Sequence, residues 1–310
     1  MAEKIATRQA YGEFLLEKGK TMPDLIVMDG DLSKSTMTYA FSKMFPDRFF
    51  NMGIAEQNLF GAAAGLAISG KVVCASTFAM FATGRAYEII RNSIGYTHAN
   101  VKICATHAGL TVGEDGASHQ TFEDLALMRV IPGMTVINPS DGNSAKILLE
   151  QAVNAHGPYY IRLGRAAVPL IYTPEADLVI GKACCLRNGS DYTVIATGIM
   201  VHEAMKAASI LEARGISLRV IDMHTIKPLD GSIIEKAVLE TRGIVTAEEH
   251  SVIGGLGSAV AEYAAAHCPA NIRFIGQKDV FGESGKPDLL LQKYAMTAED
   301  IVSAIDSFGR

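Results

Sequence analysis

Short apolar segments, each followed by a helical one, recur along this chain, and that alternation leaves few folds open. Residues 25–28, 49–52, 71–75, 101–106, 135–138 and 158–163 read as strands. Between them, residues 7–18, 53–69, 78–92, 123–128 and 142–152 have the spacing of helices. Strands joined through helices run parallel, and their sheet is covered on both faces. A second series follows, with strands at 192–196, 218–222, 243–248 and 272–276 and helices at 199–214, 230–241 and 255–267. The fold class is therefore α/β, with two domains, each a mostly parallel sheet flanked by helices. The boundaries are expected at 1–165 and 188–310. Residues 166–187, with Pro169, Pro174 and few periodic positions, read as a linker. Polar groups cluster after the strand ends, where open α/β sheets place ligands.

Composition narrows the function classes. The 310 residues suffice for two hydrophobic cores, and 49% hydrophobic content excludes a disordered chain. A net charge of −5 argues against nucleic acid as a main partner. The longest apolar stretch, 59–69, is too short and too rich in Gly and Ala for a membrane span. The charged N-terminus lacks the apolar core of a secretory signal. Cys74, Cys104, Cys184, Cys185 and Cys268 are odd in number and form no CxxC, so they read as reduced thiols, mostly in the core, of a cytoplasmic protein.

Three clusters can carry chemistry. Glu56, in NMGIAEQNLFGAAAGLAISG, follows a strand and opens a nearly all-apolar helix. It can complement the helix dipole, or act as a desolvated acid whose raised pKa lets it share a proton with a ligand nitrogen. The loop THAGLTVGEDGASHQTFED holds His107, Glu114, Asp115 and His119 among glycines. Such a loop can exchange protons near neutral pH, or be a solvated acidic turn. His107, Asp115 and His119 are plausible metal ligands, but no Cys or HxxxH pattern supports a metal site, and none is assigned. STFAMFATGRAYEIIR places Phe78 and Phe81 on one helical face, with Arg85, Tyr87 and Arg91 nearby. These aromatics read as core, or as an apolar wall against a flat heterocycle. Arg8, Arg129, Arg162 and Arg165 are surface ion-pair partners, or together an anion site. GGLGS misses the spacing of a nucleotide fingerprint and reads as a tight turn into a packed helix.

Taken together, the blocks resemble one family. NMGIAEQNLFGAAAGLAISG, STFAMFATGRAYE, THAGLTVGEDGASHQTFEDLALMR and PSDG are similar to the pyrimidine-binding domain of transketolases. ATGIMVHEA, VIDMHTIKPLD and AEEHSVIGGLGSAVAEYAA are similar to the transketolase C-terminal domain. The domain with the GDG…N motif that binds thiamine diphosphate has no counterpart here. The resemblance therefore implies the C-terminal subunit of a split transketolase with a thiamine diphosphate-binding fold. Its partner would be an N-terminal subunit, in an α2β2 assembly, that holds the diphosphate and its Mg2+ or Ca2+.

The resemblance also implies roles. Glu56 would contact the aminopyrimidine of the cofactor and promote loss of the thiazolium C2 proton, so that a two-carbon ketol unit moves from a ketose to an aldose. Phe78 and Phe81 would line the pyrimidine pocket, with Asp31 an acid near the cofactor. A third aromatic of some members is replaced by Ala82-Thr83-Gly84, and Tyr87 is the open candidate to substitute. His107 and His119 would contact substrate hydroxyls and move protons, and Asp115 would bind the hydroxyl beside the carbonyl. Arg165, Arg8 and Ser35 would hold a phosphate, or a sulfonate on an analogous sugar, with Ser33 close to Ser35 in sequence. Other readings are a 2-oxo acid dehydrogenase β subunit, a deoxyxylulose phosphate synthase relative and a non-catalytic paralogue. The GEDGASHQ loop, with its sugar-hydroxyl partners, favours transketolase.

Overall fold

The computed structural model describes residues 3–309. Its larger sheet has seven strands, in the spatial order Thr225–Lys227, Thr135–Ile137, Tyr159–Leu163, Val101–Thr106, Val72–Phe78, Leu25–Asp29 and Phe49–Asn51. Six of these run parallel, and Thr225–Lys227 joins antiparallel at the edge. The second sheet has the order Ile272–Gln277, Ile244–Ser251, Tyr192–Ala196, Leu218–Asp222 and Cys184–Arg187, with only the last antiparallel. The α/β class and its two sheets thus stand as the strand–helix alternation implies. The central strands are buried on both faces, which explains their continuous apolar runs.

Helices seal those faces. Glu56–Ile68 buries Leu59, Phe60, Ala63, Ala64 and Ala67 against the first sheet. Its small side chains let the helix lie close to the strand Val72–Phe78. Gly142–Asn154 starts at Asp141, whose carboxylate accepts the Ser144 N–H in a reciprocal cap. Among the described residues, no helix is long and apolar enough to cross a membrane.

Four local expectations change. The strand read as ending at Ala75 runs on to Phe78, and the helix read as 78–92 is replaced by two π-helical stretches, Phe81–Arg85 and Ile90–Gly95, around a short α-helical turn. The small residues at 75–77 suit a buried strand as well as a helix, and pairing with Val101–Thr106 decides between them. The segment read as a linker contains Ala167–Pro169, paired with Lys4–Ala6, and Cys184–Arg187. Thr225–Lys227 lies within the second series in sequence yet extends the first sheet. Of the cysteines, all free, only Cys74 and Cys104 are buried.

The two sheets are joined through buried charge. The guanidinium of Arg162, on the strand Tyr159–Leu163, donates to Asp124 at 2.7 and 3.1 Å and to the Glu249 carbonyl at 2.9 Å. Tyr160 donates to the same Asp124 carboxylate at 2.6 Å. Burial alone would raise the pKa of Asp124, but Arg162 more than offsets this and holds it below the usual carboxylate value. Arg162 is thus a structural ion pair and not part of an anion site. Arg129 likewise pairs with Glu262 and donates to the Gly254 carbonyl.

Removing one member of a buried pair strands the other. Arg162→Met should cost about 3–5 kcal/mol of stability, measured by urea unfolding. Lys71→Ala, which breaks a 2.6 Å pair with the exposed Asp24, should cost less than about 1 kcal/mol. Equal costs for the two variants would contradict this account.

Candidate active site

The site forms where strands of the larger sheet end. Leu25–Asp29 leads into a turn organised by the buried Asp29 carboxylate, which accepts Leu32 N–H at 2.6 Å, Thr36 Oγ1–H at 2.6 Å and Thr38 Oγ1–H at 3.0 Å. This turn carries Asp31, exposed and at a φ of 67°, and Ser35. Asp31 accepts from Asn51 Nδ2 at 2.9 Å. The next strand, Val72–Phe78, delivers Thr77 and Phe78, and Val101–Thr106 delivers His107.

Glu56 is the first residue of its helix and is buried, with its side chain 1% exposed. Its Oε2 accepts from Arg85 Nη1 at 2.7 Å, while its Oε1 has only a long 3.3 Å contact from Thr77 Oγ1. The desolvated acid expected from sequence is therefore an ion-paired one. Arg85 stood among the third group of residues without a role; its place four residues after Phe81, about one helical turn, is the signal for one.

Phe78 and Phe81 meet although they do not share a helix face. Phe78 ends a strand and Phe81 begins the π-helical stretch, and their rings stack with centroids 5.8 Å apart. His107 stacks on Phe78 at 3.8 Å, and His119 meets the edge of Phe81 at 5.4 Å. Arg85 covers Phe81 at 5.0 Å from the ring centre. Tyr87 instead packs against the hydrophobic core.

Arg8 lies next to this aromatic group. Its Nη1 donates to the Ser35 carbonyl at 2.7 Å and to His107 Nε2 at 3.3 Å. With Nε2 accepting, the imidazole carries its proton on Nδ1, which donates to Thr106 Oγ1 at 2.9 Å. Burial and the charges of Arg8 and Arg165 depress the His107 pKa to about 3. His107 is therefore neutral at neutral pH. Burial and the nearby Arg165 also lower the pKa of Arg8, with Asp115 acting in the opposite sense. The Arg8 Nε is buried without a partner. Two neighbouring guanidiniums with an unused donor suit a bound anion. Arg165 donates to the Val112 carbonyl and, at 3.2 Å, to the exposed Glu114.

The loop that carries Asp115 and His119 is held from the second sheet. Glu249 accepts the Thr111 N–H at 2.5 Å. A Cβ at Gly109, whose φ is 82°, would collide with that carboxylate, so this position requires glycine. Glu249 was not among the residues singled out from sequence, because its partner lies 138 residues away. The nearby GGLGS motif is a turn into Leu256–His267, whose first N–H groups bond to the Glu248 carboxylate at 2.7 Å and not to a ligand.

Comparison with known proteins agrees with this architecture. The transketolase pyrimidine-binding domain matches residues 3–170, and the transketolase C-terminal domain matches residues 181–301. The chain belongs to the transketolase family. It is 52% identical to a putative transketolase C-terminal section of Methanocaldococcus jannaschii, over 96% of this chain and 94% of that one. It is 40% identical to the 6-deoxy-6-sulfo-D-fructose transketolase subunit SqwH of Clostridium sp., over 96% and 92%. A solved structure described as a split gene transketolase, inactive beta4 tetramer, superposes with a TM-score of 0.90 at 51% identity, covering 98% of both chains. Human transketolase, 38% identical over 98% of this chain, is matched over 49% of its own length.

The His107 environment has a measurable consequence. Its folded pKa of about 3 lies below the ordinary 6.5, so between these values the unfolded chain binds a proton that the folded chain does not. Stability should fall as pH drops from 6.5 towards 3, and His107→Gln should flatten this part of the profile. The His107 ring resonances should stay fixed between pH 5 and 8 by NMR; titration near 6.5 would refute the assignment.

Proposed function

We propose that this chain is one subunit of a thiamine diphosphate-dependent transketolase. It would move a two-carbon ketol unit from a ketose phosphate, or an analogous anionic sugar, to an aldose. Activity would require an N-terminal partner subunit that holds the diphosphate and its Mg2+ or Ca2+, in an α2β2 complex. The observation that carries this reading is the buried Glu56 carboxylate beside the stacked Phe78 and Phe81 rings, with the Arg8–Arg165 pair at the neighbouring strand end.

The residues fit an aminopyrimidine. Glu56 Oε1 has a single long hydrogen bond, which leaves it free to share a proton with a ring nitrogen. The aromatic pair offers an apolar wall of matching flatness. Thiamine diphosphate, when bound, supplies the nucleophilic carbon and the electron sink. This chain's own groups would position the substrate and handle protons. His119, at the edge of Phe81, would contact substrate hydroxyls and move protons. His107, kept neutral, would act as a hydrogen-bonding group that also fixes Arg8. Asp115 would accept from the hydroxyl next to the substrate carbonyl, and Asp31 would lie near the cofactor.

Arg8 and Arg165, with Ser35, would bind the terminal anion of the sugar. The positive charge of Arg165 disfavours that of Arg8, and a phosphate or sulfonate bound by both would relieve that repulsion. The kinship to a sulfo-sugar transketolase subunit supports keeping both anions in the reading.

The test is assay of the chain alone and with its partner, thiamine diphosphate and Mg2+. Ketol transfer should appear only in the complex, and full activity of the isolated chain would sink the two-subunit reading. In the complex, Glu56→Gln should lower kcat by about 10²–10⁴-fold. Arg165→Ala should raise KM for phosphorylated or sulfonated sugars and leave KM for uncharged sugars nearly unchanged. Equal effects on both substrate classes would remove Arg165 from the anion site.

A further inference from the structure

One side chain of the isolated chain makes the two contacts that an aminopyrimidine would make. Arg85 donates to Glu56 Oε2 at 2.7 Å and sits over Phe81, 5.0 Å from the ring centre. A guanidinium is planar, cationic and carries N–H donors in its plane. An aminopyrimidine is also planar and presents N–H groups at its edge. Both would use the same carboxylate and the same aromatic wall.

The arrangement has a physical reason. Glu56 is almost fully buried, and a buried carboxylate without a partner is costly. Some donor must satisfy it when no ring is bound. Arg85 can do so reversibly, because its side chain is 49% exposed and has an open path to solvent. The backbone around it is suited to rearrangement. Phe81–Arg85 is π-helical, a geometry less favourable than α and frequent at functional sites. Gly84 precedes Arg85, and the Arg85 carbonyl is held by Gln57 only through a long 3.4 Å hydrogen bond.

We propose that Arg85 is a built-in competitor for the cofactor's pyrimidine ring, pairing with Glu56 in the unpartnered chain and leaving when the ring binds. This inference rests on the cofactor reading above. It assigns Arg85 a role in setting cofactor affinity: the complex binds the cofactor less tightly than its contacts allow, because each binding event must break the Arg85–Glu56 pair.

The test is titration calorimetry of thiamine diphosphate into the reconstituted two-subunit complex in Mg2+. Arg85→Ala should lower Kd by roughly 5–10-fold, the scale of one partly exposed ion pair. Arg85→Lys keeps the charge and loses the planar, multiply donating group, so its Kd should fall between those of Arg85→Ala and the wild type. If the wild-type complex binds the cofactor and both variants bind it equally or more weakly, Arg85 is not a competitor. If the wild-type complex binds no thiamine diphosphate, the cofactor reading itself fails.

Discussion

A guanidinium and two carboxylates buried at one junction set the terms for the rest of this structure. Arg162, Asp124 and Glu249 are each more than nine-tenths buried where the larger sheet meets the second. Charges there are tolerable only if each is paired and hydrogen-bonded. Asp124 therefore takes Arg162 and Tyr160, and the Glu249 carboxylate takes the Thr111 N–H. Thr111 belongs to the loop that bears Asp115 and His119. The junction thus fixes the domain contact and one wall of the site with the same few bonds.

The site has two chemically distinct ends. One is a buried acid beside stacked aromatics, and the other is a pair of arginines that repel each other. His107 joins them: it stacks on Phe78 and accepts from Arg8, and its neutrality follows from burial and from the flanking positive charges. The neutral ring is stable there because protonation would add a third cation to the same small volume. The combination agrees with membership of the transketolase family.

Several features were legible from residue order. The parallel α/β class follows from strand–helix alternation, because only a covered parallel sheet accommodates it. Glu56 was visible as a charged residue opening an apolar helix, and His107, Asp115 and His119 as titratable groups on a glycine-rich loop. Less legible was where a strand becomes a helix. Phe78 and Phe81 were read on one helix face, whereas a strand end and a π-helical turn bring them together. Small residues at 75–77 suit either state, and only the neighbouring strand decides. Arg162 and Arg129 looked like anion-binding candidates because their partners, Asp124 and Glu262, lie 38 and 133 residues away in sequence.

Sequence by itself determined the family, the fold class and the residue types at the site, because these depend on local periodicity and on motifs contained within short segments. Tertiary structure alone decided which charges face one another. It paired Arg85 with Glu56, set Arg8 against His107 and turned Glu249 towards Thr111. It also moved Thr225–Lys227 into the first sheet, across the boundary that sequence suggests. The physical reason is common to all four. Electrostatic pairing, desolvation and edge-strand addition depend on distance in space, and residues far apart along the chain carry no local mark of the partner they will meet.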